Sequence, residues 1–328
     1  MRENGSKGYL SVIKEGSHWR LRLYGSFLQA GTVCDYSILR SSGDEPLLNI
    51  AAENVKKLWS TYCNNGDGRW CYDGYYFPAA DTYIPTGDGC LFRCVAAYFA
   101  KSMEWQAGSS RCAADLSIAI LDTIALQQTE EGYFPTMSGS TWLQADYGIE
   151  PGFYDTRFNS DLLLIYEHFM TRTEGFTEVI SRYFDFYLDF AEQHHYETEN
   201  GGYLIWDYNN ATQPVHCSLN HQLAEMLILY RFAALLDRPE LEEMADLMLL
   251  GIEDTWEGWI MEDNNLHYCY MDGGVFGKDD YPYLTYNDLY TMQQEFEKMG
   301  RGRNEALDRL MEAKLHWMQA NGVTGYHS

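Results

Sequence analysis

Basic residues are scarce in this chain. Its 328 residues hold 23 Lys and Arg against 48 Asp and Glu, a formal net charge of −25, and no Lys/Arg cluster stands out. Such a surface repels phosphate backbones and anionic lipid, so neither nucleic acid nor membrane is an expected partner. Long apolar runs are missing too. No stretch of 18 apolar residues occurs, and the opening MRENGSKGYL lacks the apolar segment of a signal peptide, so a soluble, cytoplasmic protein is expected. There are only 8 Pro and no Pro- or Ser-rich stretch that would read as a linker, while 46% hydrophobic content suffices for one large core. The eight Cys form no CxxC pair, the usual mark of a structural zinc site. They read as reduced, buried thiols. Cys90 with Cys94, and His216 with Cys217 and His221, are the conceivable metal clusters; the first pair would share a helix face and reads as two small core residues, and the second lacks an evident third acidic or imidazole ligand nearby, so no metal and no cofactor are expected.

Aromatic residues, by contrast, are abundant: 15% of the chain, with 26 Tyr and 9 Trp. Tyr and Trp suit surfaces that are half apolar and half hydrogen-bonding, which sugars offer, although large helical cores also consume them. Glycine followed by aromatics recurs at Gly68-Arg69-Trp70, Gly132-Tyr133-Phe134, Gly202-Tyr203, Gly258-Trp259 and Gly325-Tyr326, spaced roughly as helical hairpins with generous loops. Residues 1–45 alternate around Trp19–Tyr24 with turns at Gly16 and Gly25. They predict an antiparallel β element, either flanking the helical body or left from a larger β-domain.

From residue 46 to 328 the periodicity is helical. Nine helices are expected, from Pro46 through Leu48 and Trp59 to before Asn64, from Gly89 through Phe92 and Arg93 to Ala100, over 112–128, 154–169, 176–194, 216–236, 239–255, from 285, and over 304–320. Connections from odd to even helices are long, aromatic and acidic; those from even to odd are short. That asymmetry predicts a mainly α fold, an α/α toroid of about four to five helical hairpins, closed or open, with every long loop on one rim. A superhelical array is the other architecture considered, and the uneven hairpin spacing speaks against it.

The stretch 201–230 concentrates chemistry. Trp206, Asp207 and Tyr208 precede a helix mouth carrying His216, Asn220 and His221, with Leu219, Leu223, Met226, Leu227 and Tyr230 as its buried stripe. Two other even helices open similarly: Tyr154, Asp155, Arg157, Asn159 and Asp161 in one, Tyr286, Asn287 and Asp288 in the other. These clusters should converge on one rim. Glycoside hydrolysis needs one protonated and one ionised carboxyl, and aromatic neighbours or a nearby Arg can set the two states. Asp155 and Asp207 are the carboxyls in that context, with His216 as a general acid or base. Plainer readings stand beside these: an N-cap for Asp155, a salt bridge to Asp161 for Arg157, a capping or core imidazole for His216. Trp70, Trp142, Trp206 and Trp259 are candidate sugar-stacking platforms.

Hairpin toroids with acidic, aromatic loops on one rim resemble the α/α-barrel carbohydrate-active enzymes: glycosidases, polysaccharide lyases and sugar epimerases. Within residues 46–328, Trp206-Asp207-Tyr208 followed by His216, Asn220, Gln222 and Leu223 is similar to a run near the end of glucuronyl epimerases. The resemblance implies a sugar-active enzyme. A glycosidase acting on an oligosaccharide through Asp155 and Asp207 is the first expectation. A lyase or uronate epimerase using His216 or Tyr208, with Arg157 or Arg93 holding a carboxylate, is the second. A non-catalytic sugar-binding or scaffold protein is the third.

Overall fold

The computed structural model describes residues 9–24, four short strands between residues 69 and 94, and residues 111–327 apart from 138, 171, 172 and 174. β1 (Tyr9–Glu15) and β2 (His18–Tyr24) form an antiparallel hairpin, pairing Val12 with Leu21 across the turn at Gly16. The alternation expected there is present; the rest of residues 1–45 and the helix expected between Pro46 and Asn64 lie outside the described residues. β3 (Arg69–Cys71), β4 (Gly74–Tyr76), β5 (Tyr83–Ile84) and β6 (Arg93–Cys94) follow, with β4 between β3 and β6 in one small sheet. Arg93 and Cys94 correct the sequence reading, which put them in a helix. They ladder against Tyr76 and Tyr75, because a neighbouring strand of β-favouring aromatics outweighs a weak local helical period.

The body consists of α1 (Arg111–Ala125), β7 (Gly139–Ser140, paired with β5), α2 (Thr141–Tyr147), α3 (Thr156–Met170) and α4 (Gly175–Gln193), then β8 (His195–Glu197), β9 (Tyr203–Ile205), β10 (Cys217–Ser218) and α5 (Leu219–Leu236). It ends with α6 (Pro239–Trp259), β11 (His267–Met271), β12 (Val275–Asp279), α7 (Leu284–Met299) and α8 (Glu305–Ala320). Helix α5 packs against α3 and α7; α6 packs against α4 and α8; each of α3, α5 and α7 packs on the helix that follows it. The first three form an inner layer and the other three wrap it.

Helix α5 is the hub, with every residue from Leu219 to Tyr230 buried. A helix enclosed on all faces must satisfy its polar residues inside the protein. Gln222 does so by clamping β9: its amide donates to Ile205 O at 2.7 Å and accepts from Ile205 N at 3.0 Å.

Inner-to-outer connections are short, with Asp237 capping α5 in the left-handed conformation one residue before α6 begins after Arg238. The outer-to-inner ones are long, and two of them share a sheet, β10-β11-β12. The expected alternation is therefore observed. Three local expectations change. Helix α2 sits inside what reads as a loop, because Ser140 caps it through Leu143 N–H and Gly148 ends it in the left-handed conformation. Helix α5 starts at Leu219, so His216 precedes it on an extended segment. Helix α6 runs through Gly258 to Trp259, which is fully buried with its indole N–H on Thr255 and is no exposed platform.

Where α6 crosses the chain entering β9, Gly202 and Gly251 let two backbones touch. A Cβ on Gly251 would lie 2.5 Å from Tyr203 O, and one on Gly202 would lie 2.2 Å from Gly251 N. Gly251→Ala is expected to cost about 1–3 kcal/mol by overpacking. Urea unfolding checks this, and an unchanged midpoint would mean that the two segments part easily. Among the described residues no helix is long and apolar enough to cross a membrane.

Candidate functional site

The first turns of α3, α5 and α7 meet at the rim of the long loops, and Arg157 ties them together. Its guanidinium forks onto Asp288 (2.6 and 3.1 Å), donates to Asn220 O at 3.0 Å and lies 3.5 Å from Asp161. The helical i,i+4 pair foreseen from sequence exists, but the shorter, bidentate contact is the one to Asp288, 131 residues away.

Asp207 is the buried centre. Its Oδ1 accepts Ser218 N–H at 2.8 Å, and its Oδ2 accepts the Ser218 hydroxyl. The same Oδ2 lies 3.2 Å from His216 Nε2, off the line of a good hydrogen bond, and 3.6 Å from His221 Nδ1. Burial pushes this carboxyl up, but His221, His216 and Ser218 together outweigh it and hold Asp207 below the usual carboxylate range. Asp207 is thus an ionised, enclosed anchor for two imidazoles.

The two imidazoles differ. His216 Nδ1 meets Tyr147 Oη at 2.7 Å; the ionised Asp207 facing Nε2 favours the imidazole proton there, which leaves Nδ1 to accept from Tyr147, a phenol that burial pushes up to about 12. His216 thus has Nδ1 hydrogen-bonded and Nε2 facing the Asp207 carboxylate. His221 Nδ1 lies 2.7 Å from Thr156 Oγ1, whose own proton goes to Asp207 O at 3.1 Å. The network therefore assigns the His221 proton to Nδ1. Its Nε2 has no partner among the described residues and is not among the fully enclosed atoms, so a basic lone pair faces outward. Burial first, then Arg157, push this imidazole down to about 4 against the pull of Asp207, so it is neutral at physiological pH.

Asp155 stands next to Thr156 and is in the opposite state to Asp207. Burial, reinforced by Asp207 and Asp161, pushes it up to about 8, although Phe158 N–H donates to its Oδ1 at 2.9 Å. The N-cap reading is correct for Oδ1. At neutral pH the carboxyl therefore keeps its proton and can act as a donor.

No protein-family model matches the sequence, and no curated protein matches it. Solved structures do match. A sugar epimerase from a ruminal bacterium aligns with TM-score 0.54 at 14% identity over 84% of this chain and 70% of that one. Cellobiose 2-epimerase from Spirochaeta thermophila gives 0.53 at 13% over 82% and 67%, and the one from Bacillus thermoamylovorans 0.51 at 13% over 82% and 69%. The chain is an α/α toroid. It spans 65% of the length of another match, an unsaturated glucuronyl hydrolase specific for heparin.

The toroid places the remaining sequence candidates as follows. Tyr208 is buried and presents its ring edge to His216 and His221, 5.7 and 6.0 Å between centroids. Trp142 stacks on His216 at 5.7 Å, with Lys278 Nζ 4.7 Å from its own ring. Asn220 is buried beside them, its Oδ1 without a partner among the described residues. Asn159 spends its amide on backbone, accepting Phe134 N–H and donating to Phe134 O and Asp155 O, so it staples a loop to α3. Tyr154 turns toward α4, with its hydroxyl 2.8 Å from that of Tyr183. Trp206 packs between His194 and Tyr196, its indole N–H buried and without a partner among the described residues. Tyr286 packs edge-on against Tyr326, and Asn287 Oδ1 accepts His327 N–H; both face the C-terminal tail rather than His221. Trp70 lies in β3, its side chain outside the described residues.

Sequence reasoning missed Thr156, Tyr147, Ser218 and Glu225. Ser218, at the N-cap position directly before α5, carried a readable signal. Glu225 is buried one helical turn beyond His221, within 3.4 Å of the Tyr183 hydroxyl, and burial pushes its carboxyl well above the usual range.

Proposed function

We propose that this toroid binds a sugar at the rim where α3, α5 and α7 begin and moves a proton on it, with His221 as base and Asp155 as acid. The observation that carries the reading is the His221 Nε2 lone pair, a basic nitrogen with no partner among the described residues on an imidazole whose Nδ1 is held by Thr156 beside Asp207. In an open-chain aldose, His221 takes the proton from the carbon beside the carbonyl. The C–H electrons flow into an enediol, and Asp155 gives its proton to the carbonyl oxygen. Return of a proton to the opposite face of that carbon yields an epimer; return to the former carbonyl carbon yields a ketose. Asp207, Thr156 and Tyr147 hold the imidazoles in place. Epimerases among the structures of the same fold support this class of chemistry.

A glycosidase is the second reading, favoured by one observation: Asp155 and Asp207 are driven to opposite protonation states. It needs Asp207 to reach a water or an anomeric carbon, and Ser218 and the two imidazoles occupy that carboxylate. The test is incubation with mannose, glucose and cellobiose in D2O. Deuterium entering at C2 is the expected result. New reducing ends released from oligosaccharides, with no deuterium uptake, would replace the proposal with hydrolysis.

A further inference from the structure

A cleft of about 270 Å3 opens beside the acid–base site, between the turn after α1 and the C-terminal end of α4. Its floor is aromatic because Phe186 and Phe190 lie on one face of α4 and His194, the residue after its last turn, continues the four-residue spacing. Phe186 stacks on Phe190 at 5.9 Å and Phe190 on His194 at 4.7 Å, while Tyr133 closes one end 4.9 Å from Phe186. The walls are polar, and hydrogen bonds decide which atoms they offer. His194 spends Nδ1 on Phe190 O at 3.1 Å, leaving Nε2 as an acceptor. Asn209 spends Oδ1 on Tyr154 N–H at 2.7 Å, leaving its NH2 as a donor. Glu131 and Asp189 are exposed carboxylates at the lip, with no partner among the described residues.

We propose that this cleft is a second sugar-binding site, holding one pyranose ring and doing no chemistry. An apolar floor takes the C–H face of a pyranose, and carboxylates, an imidazole and an amide around it take the hydroxyls. The volume falls just below the ~300 Å3 at which ligand pockets begin, which suits one ring rather than a chain. The cleft is separate from the acid–base site. Tyr154 and Asn209, which back it, adjoin Asp155 and Tyr208 in sequence, and the latter pair bridge each other. The Tyr154 ring packs on Tyr133, Phe186 and Phe190 and closes the passage between the two. The inference therefore stands whether or not the proposed proton transfer is correct.

Methyl α-mannoside and methyl β-glucoside are suitable probes, because neither can open its ring and undergo exchange at C2. Saturation-transfer NMR and calorimetry on the full chain should show one of them binding. The Asp189→Asn variant should raise its Kd about tenfold, the loss of one charge-assisted hydrogen bond. Glu131→Gln should act in the same direction. Both positions are exposed, so the fold should be kept, and deuterium uptake at C2 of mannose should be unchanged. His221→Asn should leave the glycoside Kd unchanged. The proposal is overturned if neither glycoside binds, if Asp189→Asn leaves binding intact, if His221→Asn abolishes it, or if tetramethylammonium binds the cleft in their place.

Discussion

Replacing His221 by asparagine is expected to lower deuterium uptake at the sugar carbon by about 10²–10⁴-fold, the usual contribution of a positioned general base. Asparagine keeps an N–H to meet Thr156 Oγ1 and fits the enclosed site, so unfolding should change little; what disappears is the outward lone pair. The pH dependence of kcat/KM separates this from a merely structural effect. His221 must be neutral to accept a proton, so activity should rise as pH passes through about 4. Asp155 must be protonated to donate one, so activity should fall as pH passes through about 8. Asp155→Asn should remove the alkaline limb along with most of the activity. It should also remove a stability term. The folded-state value of Asp155 lies above its unfolded one, so wild-type stability declines between about 4 and 8 as the unfolded chain sheds a proton that the folded chain keeps. Asparagine can still cap Phe158 N–H, so the variant should be the more stable protein at pH 8. A His221→Asn enzyme with wild-type turnover and the same two limbs would remove His221 from the chemistry.

The layout of the toroid was readable because each part of it is local. Amphipathic stripes mark the helices, and glycine followed by aromatics marks most of the loops. Summed over the chain, long connections before α5 and α7 and short ones after them define an inner and an outer layer. Convergence of the three helix mouths followed from that alternation, and Arg157 reaching both Asn220 and Asp288 is its physical form. What the sequence hid depends on helical phase and on distance along the chain. Tyr286 and Asp288 are two residues apart, hence about 200° apart around α7, so one packs on Tyr326 while the other meets Arg157. Tyr147 and His216 are 69 residues apart and share no pattern. Asp207 looked like a reactive carboxyl because it sits between aromatics, yet nothing in sequence shows that Ser218 folds back onto it with both backbone and side-chain donors.

Lys314→Met should be the most destabilising substitution at this rim outside the acid–base site, costing about 3–5 kcal/mol. The Lys314 side chain on α8 is wholly buried, with Nζ 2.7 Å from Asp280 Oδ2, 2.6 Å from Asn265 Oδ1 and 4.6 Å from the Trp317 ring. Asp280 in turn accepts the Thr285 hydroxyl at 2.5 Å in the first turn of α7. One ammonium thus fastens both ends of the long loop between α6 and α7 to an outer helix, and that loop carries Tyr268, whose ring lies 5.6 Å from His216. Burial pushes Asp280 up and Lys314 down, each opposed by the partner's charge, so each ion is tolerated only because the other is present. Methionine fills the volume of the lysine stem but leaves an unpaired carboxyl in an apolar setting, and that uncompensated charge is the source of the cost. Adding Asp280→Asn to Lys314→Met removes the charge as well and should recover much of the loss, whereas two independent lesions would add. Urea unfolding of wild type, both single variants and the double variant measures the coupling. A Lys314→Met protein within about 1 kcal/mol of wild type, or a double variant no better than the single, would show that water reaches Asp280 and that the loop is held by its apolar contacts instead.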